Sequence, residues 1–487
     1  KYWPELKYYV GWSTALGGCV VEPEERRALA SMLAFHWILA NKYEYFIRCQ
    51  SNENPLYSQG WGVTKYYTNS FEEQESNNRL QPGQFNQLRK FVYEKVRVDN
   101  PADINLLMTL LAVTDLFKVD SFILDAVGFV FDLELENGEA NCFSISRPEG
   151  NSSDDLENDS ELVFDNSNDR LVLLQVITNQ AARKKYLPSV ERLLPAQREM
   201  ILLGLGTGFI LGQFVQLESV PASLKRLRKL AMEDPRCCDL YLLHMLLDIA
   251  GARGEVSLRG SLTLDKETCE RLVQAIHTLD LFKQGFSEIE VYDRYVQERG
   301  ESLECKCTDP RSSKSGKIQR AQIRLCGMLR IESFEGAQHV VEAWKLLSES
   351  EQLVLSDELN RTGIADGWAM VPYHAPRLLK MFYVKACESG ECSRRYELED
   401  DSDTSTDEFS ANALAMGFRL LIRVLKNARA VVNTSTLPEQ SENGFYVVKL
   451  TNLTKRHVID SVLHDRKFVN FTIHHKDKLG EIVLGHT

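Results

Sequence analysis

The sequence predicts a mainly α fold: a multi-helix bundle whose core could be HD-like, with a small β element near the C-terminus. Three observations carry that expectation. Apolar residues recur at three- and four-residue spacing through most of the chain. Strongly polar stretches are concentrated in two acidic runs, and branched and aromatic residues gather in short strand-like segments only near the end. With 487 residues, 44% of them hydrophobic and only 14 prolines, the chain can bury more than one core and is neither disordered, collagen-like nor a disulfide scaffold.

Taken in order, Pro23 followed by acids starts a long amphipathic helix, with Leu29, Leu33, Trp37, Ala40 and Glu44 at helical spacing. A second begins near Pro101, where Asp103 could cap and Leu106, Leu107, Leu110 and Leu111 form the apolar side; its continuation reads as two helices meeting near Asp120. The segment 171–177 is too short and apolar to assign by period. Helices follow over 187–203, 223–232, 240–250 and 268–285, with Gly251 placed for a left-handed C-cap. Loop chemistry marks 300–317 and 387–407. Ser410 caps a helix from Ala411 to about Val431, and strands are expected at 445–450, 468–473 and 481–484. These elements suggest an N-terminal helical region 1–145, an acidic insertion 146–170, a central helical core 171–300 and a C-terminal α+β region 301–487 with an acidic loop 388–409.

Charge is unevenly spread. Fifty-seven bases against 69 acids give −12, yet 149–169 holds eight acids and no base, and 397–408 holds seven and none. Setting these aside leaves a nearly neutral remainder able to carry basic faces. Eleven cysteines, with Cys237 and Cys238 adjacent, favour a reducing compartment. The start lacks signal-peptide character, and the longest apolar run, 201–217, contains two glutamines and four glycines, so neither membrane nor DNA is expected and a cytoplasmic location is.

Several constellations could carry chemistry. His244 and Asp248 lie one turn apart on a helix, suited to sharing a metal or orienting a base; the alternative is a buried histidine satisfied by that aspartate. Arg253 and Arg259, on the loop after that helix, could clamp a phosphate or carboxylate or cap the preceding carbonyls. The pairs Cys305/Cys307 and Cys387/Cys392, with Cys326 between, lack standard zinc spacing, so no metal site is assigned. Two windows are free of acid. One carries Arg311, Lys314, Lys317, Arg320, Arg324 and Arg330; the other carries Arg419, Arg423, Lys426 and Arg429 along one helical stripe. That stripe could meet an RNA backbone, or pair with the acidic segment just upstream.

His36, Asp115, His244 and Asp248 on helices resemble the HD-type metal phosphohydrolases, but Thr114 stands where that family's doublet needs histidine, and His464-Asp465 falls in the wrong order. The scaffold alone is therefore implied. The segments ILLGLGTGFILGQFVQLESVPASL, LLHMLLDIAGARGEVSLRGSL, DGWAMVPYHAPRLL and ARAVVNTSTLP are similar to fungal arginine-containing cyclodipeptide synthases. The resemblance implies an enzyme of secondary metabolism, without a cofactor, that takes charged tRNA as partner and joins arginine with a second residue into a diketopiperazine. The acidic motif DDxxE associated with that family is not completed at Asp154-Asp155 or at Asp400-Asp401. Such chemistry needs a base for the α-amine, donors for the oxyanion and a carboxylate for the guanidinium. Glu218 is the first candidate for base or carboxylate, with core helix capping as the competing role; Asp248 and His244 come next. A non-catalytic interaction protein is the third reading.

Overall fold

A computed structural model describes residues 3–13, 18–21, 23–48, 80–97, 99–119, 122–123, 125–126, 166–254, 258–305, 311–396, 410–434, 444–450, 453, 471–476 and 481–486. The acidic runs fall almost wholly outside these residues, as do Cys307, His464 and Asp465. The helices are α1 (Pro23–Leu39), α2 (Tyr43–Arg48), α3 (Pro82–Lys95), α4 (Pro101–Val113), α5 (Asn166–Thr178), α6 (Gln180–Tyr186), α7 (Pro188–Glu191), α8 (Pro195–Gly206) and α9 (Leu211–Val215). They continue as α10 (Lys225–Glu233), α11 (Pro235–Gly251), α12 (Lys266–Leu279), α13 (Glu288–Ser302), α14 (Lys314–Leu329), α15 (Phe334–Lys345), α16 (Glu349–Asn360), α17 (Ala375–Tyr396) and α18 (Ala411–Thr434). The strands are β1 (Val10–Ser13), β2 (Gly18–Val21), β3 (Ala369–Val371), β4 (Phe445–Lys449), β5 (Phe471–Lys476) and β6 (Glu481–His486). The fold is mainly helical, as the apolar spacing predicts.

These elements form two compact units, residues 1–207 with 236–270, and residues 208–235 with 271–487. Residues 171–300 contribute to both.

In the first unit, the helix expected from Pro23 is interrupted: Asn41 takes a left-handed φ of 52° and separates α1 from α2. Of the expected apolar stripe Trp37 is buried and Leu33 half-buried, but the buried face is centred elsewhere. Ala28, Met32, Phe35 and Ile38 are buried, while Leu29 is exposed. At the start of α4 the capping acceptor is Asn100, which receives the Ala102 amide at 3.1 Å; Asp103 instead pairs with Arg236. The span 187–203 splits into α7 and α8 because Leu194 precedes Pro195 and is held extended. Gly251 ends α11 without a left-handed turn. It is glycine because a Cβ there would lie 2.5 Å from the Arg27 carbonyl of α1.

In the second unit, Ser287, Ser313, Ser333 and Ser348 each cap the helix that follows. The expected loop at 300–317 is narrower, since helix α13 runs through Ser302 and α14 starts at Lys314, while 303–305 and 311–313 are non-helical and 306–310 lie outside the described residues. The expected loop from 387 is helical as far as Tyr396. Helix α18 begins after Ser410 as expected and buries Leu414, Phe418, Leu421, Leu425 and Ala428. Gly417 lets α17 approach, because a Cβ there would stand 2.9 Å from the Phe382 ring.

The C-terminal strands join in the order β3-β4-β6-β5. The pairs β3/β4 and β4/β6 are parallel and β5/β6 is antiparallel. Strand β3, which no periodicity announced, brings Ala369 and Val371 against Val220 and Ala222. That contact fixes the loop carrying Glu218.

Candidate functional site

Glu218 stands on the short connection between α9 and Lys225 in the second unit. Two buried side chains hold this connection. The Arg324 guanidinium, from α14, donates to the carbonyls of Leu217 (3.1 Å), Ser219 (2.8 Å) and Leu359. The Tyr292 hydroxyl, from α13, donates to the Ser219 carbonyl at 2.8 Å, and Arg324 lies over the Tyr292 ring. Under this restraint Leu217 adopts a left-handed φ of 54°, a conformation that a branched side chain tolerates only when its surroundings enforce it.

The carboxylate reaches the start of α17. Glu218 Oε1 accepts the backbone N–H of His374 at 2.7 Å, and the Ala375 amide also donates to the side chain. His374 is itself left-handed, with φ 75°. Its ring packs on Tyr373 at 4.0 Å between centroids. Thus one left-handed residue precedes Glu218 in the chain and another donates its amide to the Glu218 carboxyl.

The electrostatics are unusual for a cap. Two amides, a helix start and the nearby Arg324 cation all favour the charged carboxylate. Burial outweighs them: Glu218 is only 4% exposed, and its pKa is pushed up to about 7. The half-buried His374 imidazole is shifted the other way, held neutral first by burial and then by Arg377 and Lys449. The carboxyl poised near neutrality thus meets the backbone of His374, whose neutral imidazole lies within reach of the Arg377 and Lys449 charges.

The remaining sequence candidates fall elsewhere. His244, Asp248, Arg253 and Arg259 belong to the first unit. His244 is buried with its ring stacked on Tyr241, Asp248 and Arg253 are half-buried, and Arg259 is 4% exposed. The HD-like ligand set does not assemble. His36 is exposed, Asp115 pairs with Lys118 at 2.5 Å, and Thr114 donates its hydroxyl to the Leu110 carbonyl. Among the described residues no three His, Cys, Asp or Glu side chains gather as a metal set.

The basic stripe is not an open cationic face. Arg419 pairs with Glu351 at 3.2 Å, and Arg429 makes a two-pronged pair with Glu358 at 3.0 and 2.6 Å while donating to the Trp368 carbonyl. Arg423 is half-buried and Lys426 exposed. Among the described residues the partners come from α16; the acidic segment 397–408 upstream lies outside the described residues. The other acid-free window meets the same helix, Lys314 on Glu349 at 2.7 Å and Lys317 on Asp357 at 2.9 Å; Arg311 and Arg320 share Asp293. Sequence reasoning singled out Glu218 as a candidate but did not foresee Arg324 as its restraint, and did not single out Tyr292 or His374. His374 sits in the quoted segment DGWAMVPYHAPRLL, where a lone histidine before a helix start was its only signal.

Residues 154–440 match DUF6829, a family of unknown function. The chain belongs to that family. The matched span includes Glu218, Tyr292, Arg324 and His374 and leaves Lys449 outside. No curated protein and no solved structure matches the chain. Among the described residues no helix is long and apolar enough to cross a membrane.

Proposed function

We propose that this chain is an acyl-transfer enzyme in which Glu218 is the general base, and that the reaction is the tRNA-dependent formation of an arginine-containing cyclic dipeptide. The carrying observation is the Glu218 carboxyl held near pKa 7 on a strained, doubly restrained loop. A residue serving only to cap α17 would gain from being charged, so the energetic cost of keeping this carboxyl near neutrality supports a role in proton transfer. The resemblance to cyclodipeptide synthases supplies the reaction class.

An aminoacyl ester is already activated. The α-amine of one residue attacks the ester carbonyl of the other, giving a dipeptidyl ester and a freed ribose hydroxyl. The amine of the dipeptidyl ester then closes on its own ester and releases the second tRNA. In each step Glu218 takes the proton lost by the amine and returns it to the leaving hydroxyl. Arg377, exposed on the first turn of α17, and Lys449 supply positive charge for the terminal phosphates of the substrate. The stripe at Arg419 and Arg429 is not part of this reading, because its charge is internally compensated.

The test is expression in a heterologous host with mass analysis for new arginine-containing cyclic dipeptides. The chain should yield them, and Glu218→Gln should lower the yield by about a hundredfold or more at unchanged soluble protein level. Soluble, folded chain without any such product overturns the proposal.

A further inference from the structure

Among the described cysteines Cys387, in the second unit, is the exposed one. Cys237, Cys238, Cys269 and Cys326 are buried and Cys305 is half-buried. Burial pushes Cys269 and Cys326 up to about 12 and raises Cys305, so those three thiols stay protonated at neutral pH. Cys387 differs in its neighbours as well as in its exposure. Lys380, Tyr383 and Cys387 follow one another at three- and four-residue steps and share a face of α17. The Tyr383 hydroxyl donates to the Cys387 sulfur, one turn away. From α15, His339 Nδ1 lies 3.1 Å from Tyr383 Oη, with the two rings 6.0 Å apart.

The three side chains form a proton chain that ends at a nucleophile. Burial first, and then the neighbouring Cys387, push Tyr383 up to about 12, so its hydroxyl keeps its proton. With that single proton turned to the sulfur, Oη accepts from His339 Nδ1–H. Lys380 Nζ stands 5.7 Å from the centre of the Tyr383 ring, and its charge reaches Cys387; Arg330 lies beyond it, and Glu335 is the opposing acid near Tyr383. A hydrogen-bond donor and a surplus of positive charge both favour thiolate over thiol. An accessible thiolate with a proton donor at its side suits an oxidant whose leaving group has to be protonated. A hydroperoxide is such an oxidant, because attack on one oxygen expels the other as a strongly basic hydroxide or alkoxide.

We propose that Cys387 is an oxidation site for small hydroperoxides, at which Tyr383 gives a proton to the departing oxygen and His339 is the positioning residue behind it. The S–O bond forms as the O–O bond breaks. Sulfur is oxidised to the sulfenic acid, and the peroxide is reduced to water or an alcohol. The proton that the thiol releases to solvent is balanced by the one the leaving oxygen takes from Tyr383, which His339 and water restore. This site is independent of the reaction proposed for Glu218.

The test exposes the full-length chain to hydrogen peroxide, traps sulfenic acid with dimedone and follows the Cys387 peptide by mass spectrometry. Alkylation of the same thiol by iodoacetamide is the control, since iodide departs without needing a proton. In wild type Cys387 should be trapped about tenfold faster than Cys305 or more. Tyr383→Phe and His339→Gln should each slow oxidation about tenfold while slowing alkylation much less, in proteins with unchanged circular dichroism spectra. Absence of sulfenic acid at Cys387 in folded wild type, trapping no faster than at Cys305, an unchanged oxidation rate in both variants, or equal slowing of oxidation and alkylation would each overturn the assignment.

Discussion

Glu218 illustrates how a single side chain can carry two roles that pull its charge in opposite directions. As a cap it should be anionic, but burial keeps its proton near neutrality. A carboxyl whose pKa rises on folding from 4.5 to about 7 stabilises the folded state in its protonated form. That contribution is complete below pH 4.5 and is lost as the pH rises through about 7. Wild type should therefore lose up to about 3 kcal/mol relative to Glu218→Gln between those limits, measured by denaturant unfolding at several pH values. A parallel pH profile for the two proteins would show that the carboxyl is not perturbed. Arg324 offers a second check. It is 2% exposed and satisfies three carbonyls, so Arg324→Met should cost about 3 kcal/mol or more. With that cation gone, any activity left should need a higher pH, because Glu218 would hold its proton more tightly.

Among the elements, α16 decides the electrostatics of the second unit. Glu351 and Glu358 meet Arg419 and Arg429 of α18, while Glu349 and Asp357 meet Lys314 and Lys317 of α14. The pairs are unequal. Lys314 and Glu349 are largely exposed, so solvent screens their attraction and the pair contributes little. Glu358 is 8% exposed, so Arg429→Met, which leaves its carboxylate without its two-pronged partner, should cost about 3 kcal/mol. Adding Glu358→Leu should recover most of that loss in thermal unfolding, as the buried carboxylate, left with only Arg361 at 3.7 Å, disappears. In the first unit, Gly251→Ala should lower the melting temperature, since the added methyl collides with backbone of α1 that has no freedom to yield.

For the molecule as a whole, a net charge of −12 coexists with basic stretches that face inward onto acids. Retention of charged tRNA, if Arg377 and Lys449 engage its phosphates, should fall steeply with salt, and that slope should shrink when both are replaced by glutamine. Replacing Arg419 and Arg429 should reduce stability and leave the slope unchanged. An unaltered slope in the Arg377/Lys449 double variant would remove those cations from the interface. Legibility follows the same division. Helices α4, α11 and α18 were readable because apolar spacing is local in sequence, whereas the caps expected at Asp103 and Gly251 were not the ones used. The basic stripe was readable as a stripe, open to an RNA backbone or paired with acids, but its partners were not, because an acid-free window says nothing about a helix that packs on it from 71 residues away.

By itself the sequence determined the mainly helical class, the position of helices such as α4, α11 and α18, and the strand character of the C-terminal segments, since each depends on neighbours within a turn or two of chain. Only tertiary structure decided the order of the four strands, the pairing of α16 with both basic helices, and the strained meeting of Leu217, Glu218 and His374. Those features arise from burial and from contacts between distant segments, and the free energies that fix them exist only once the chain has closed on itself.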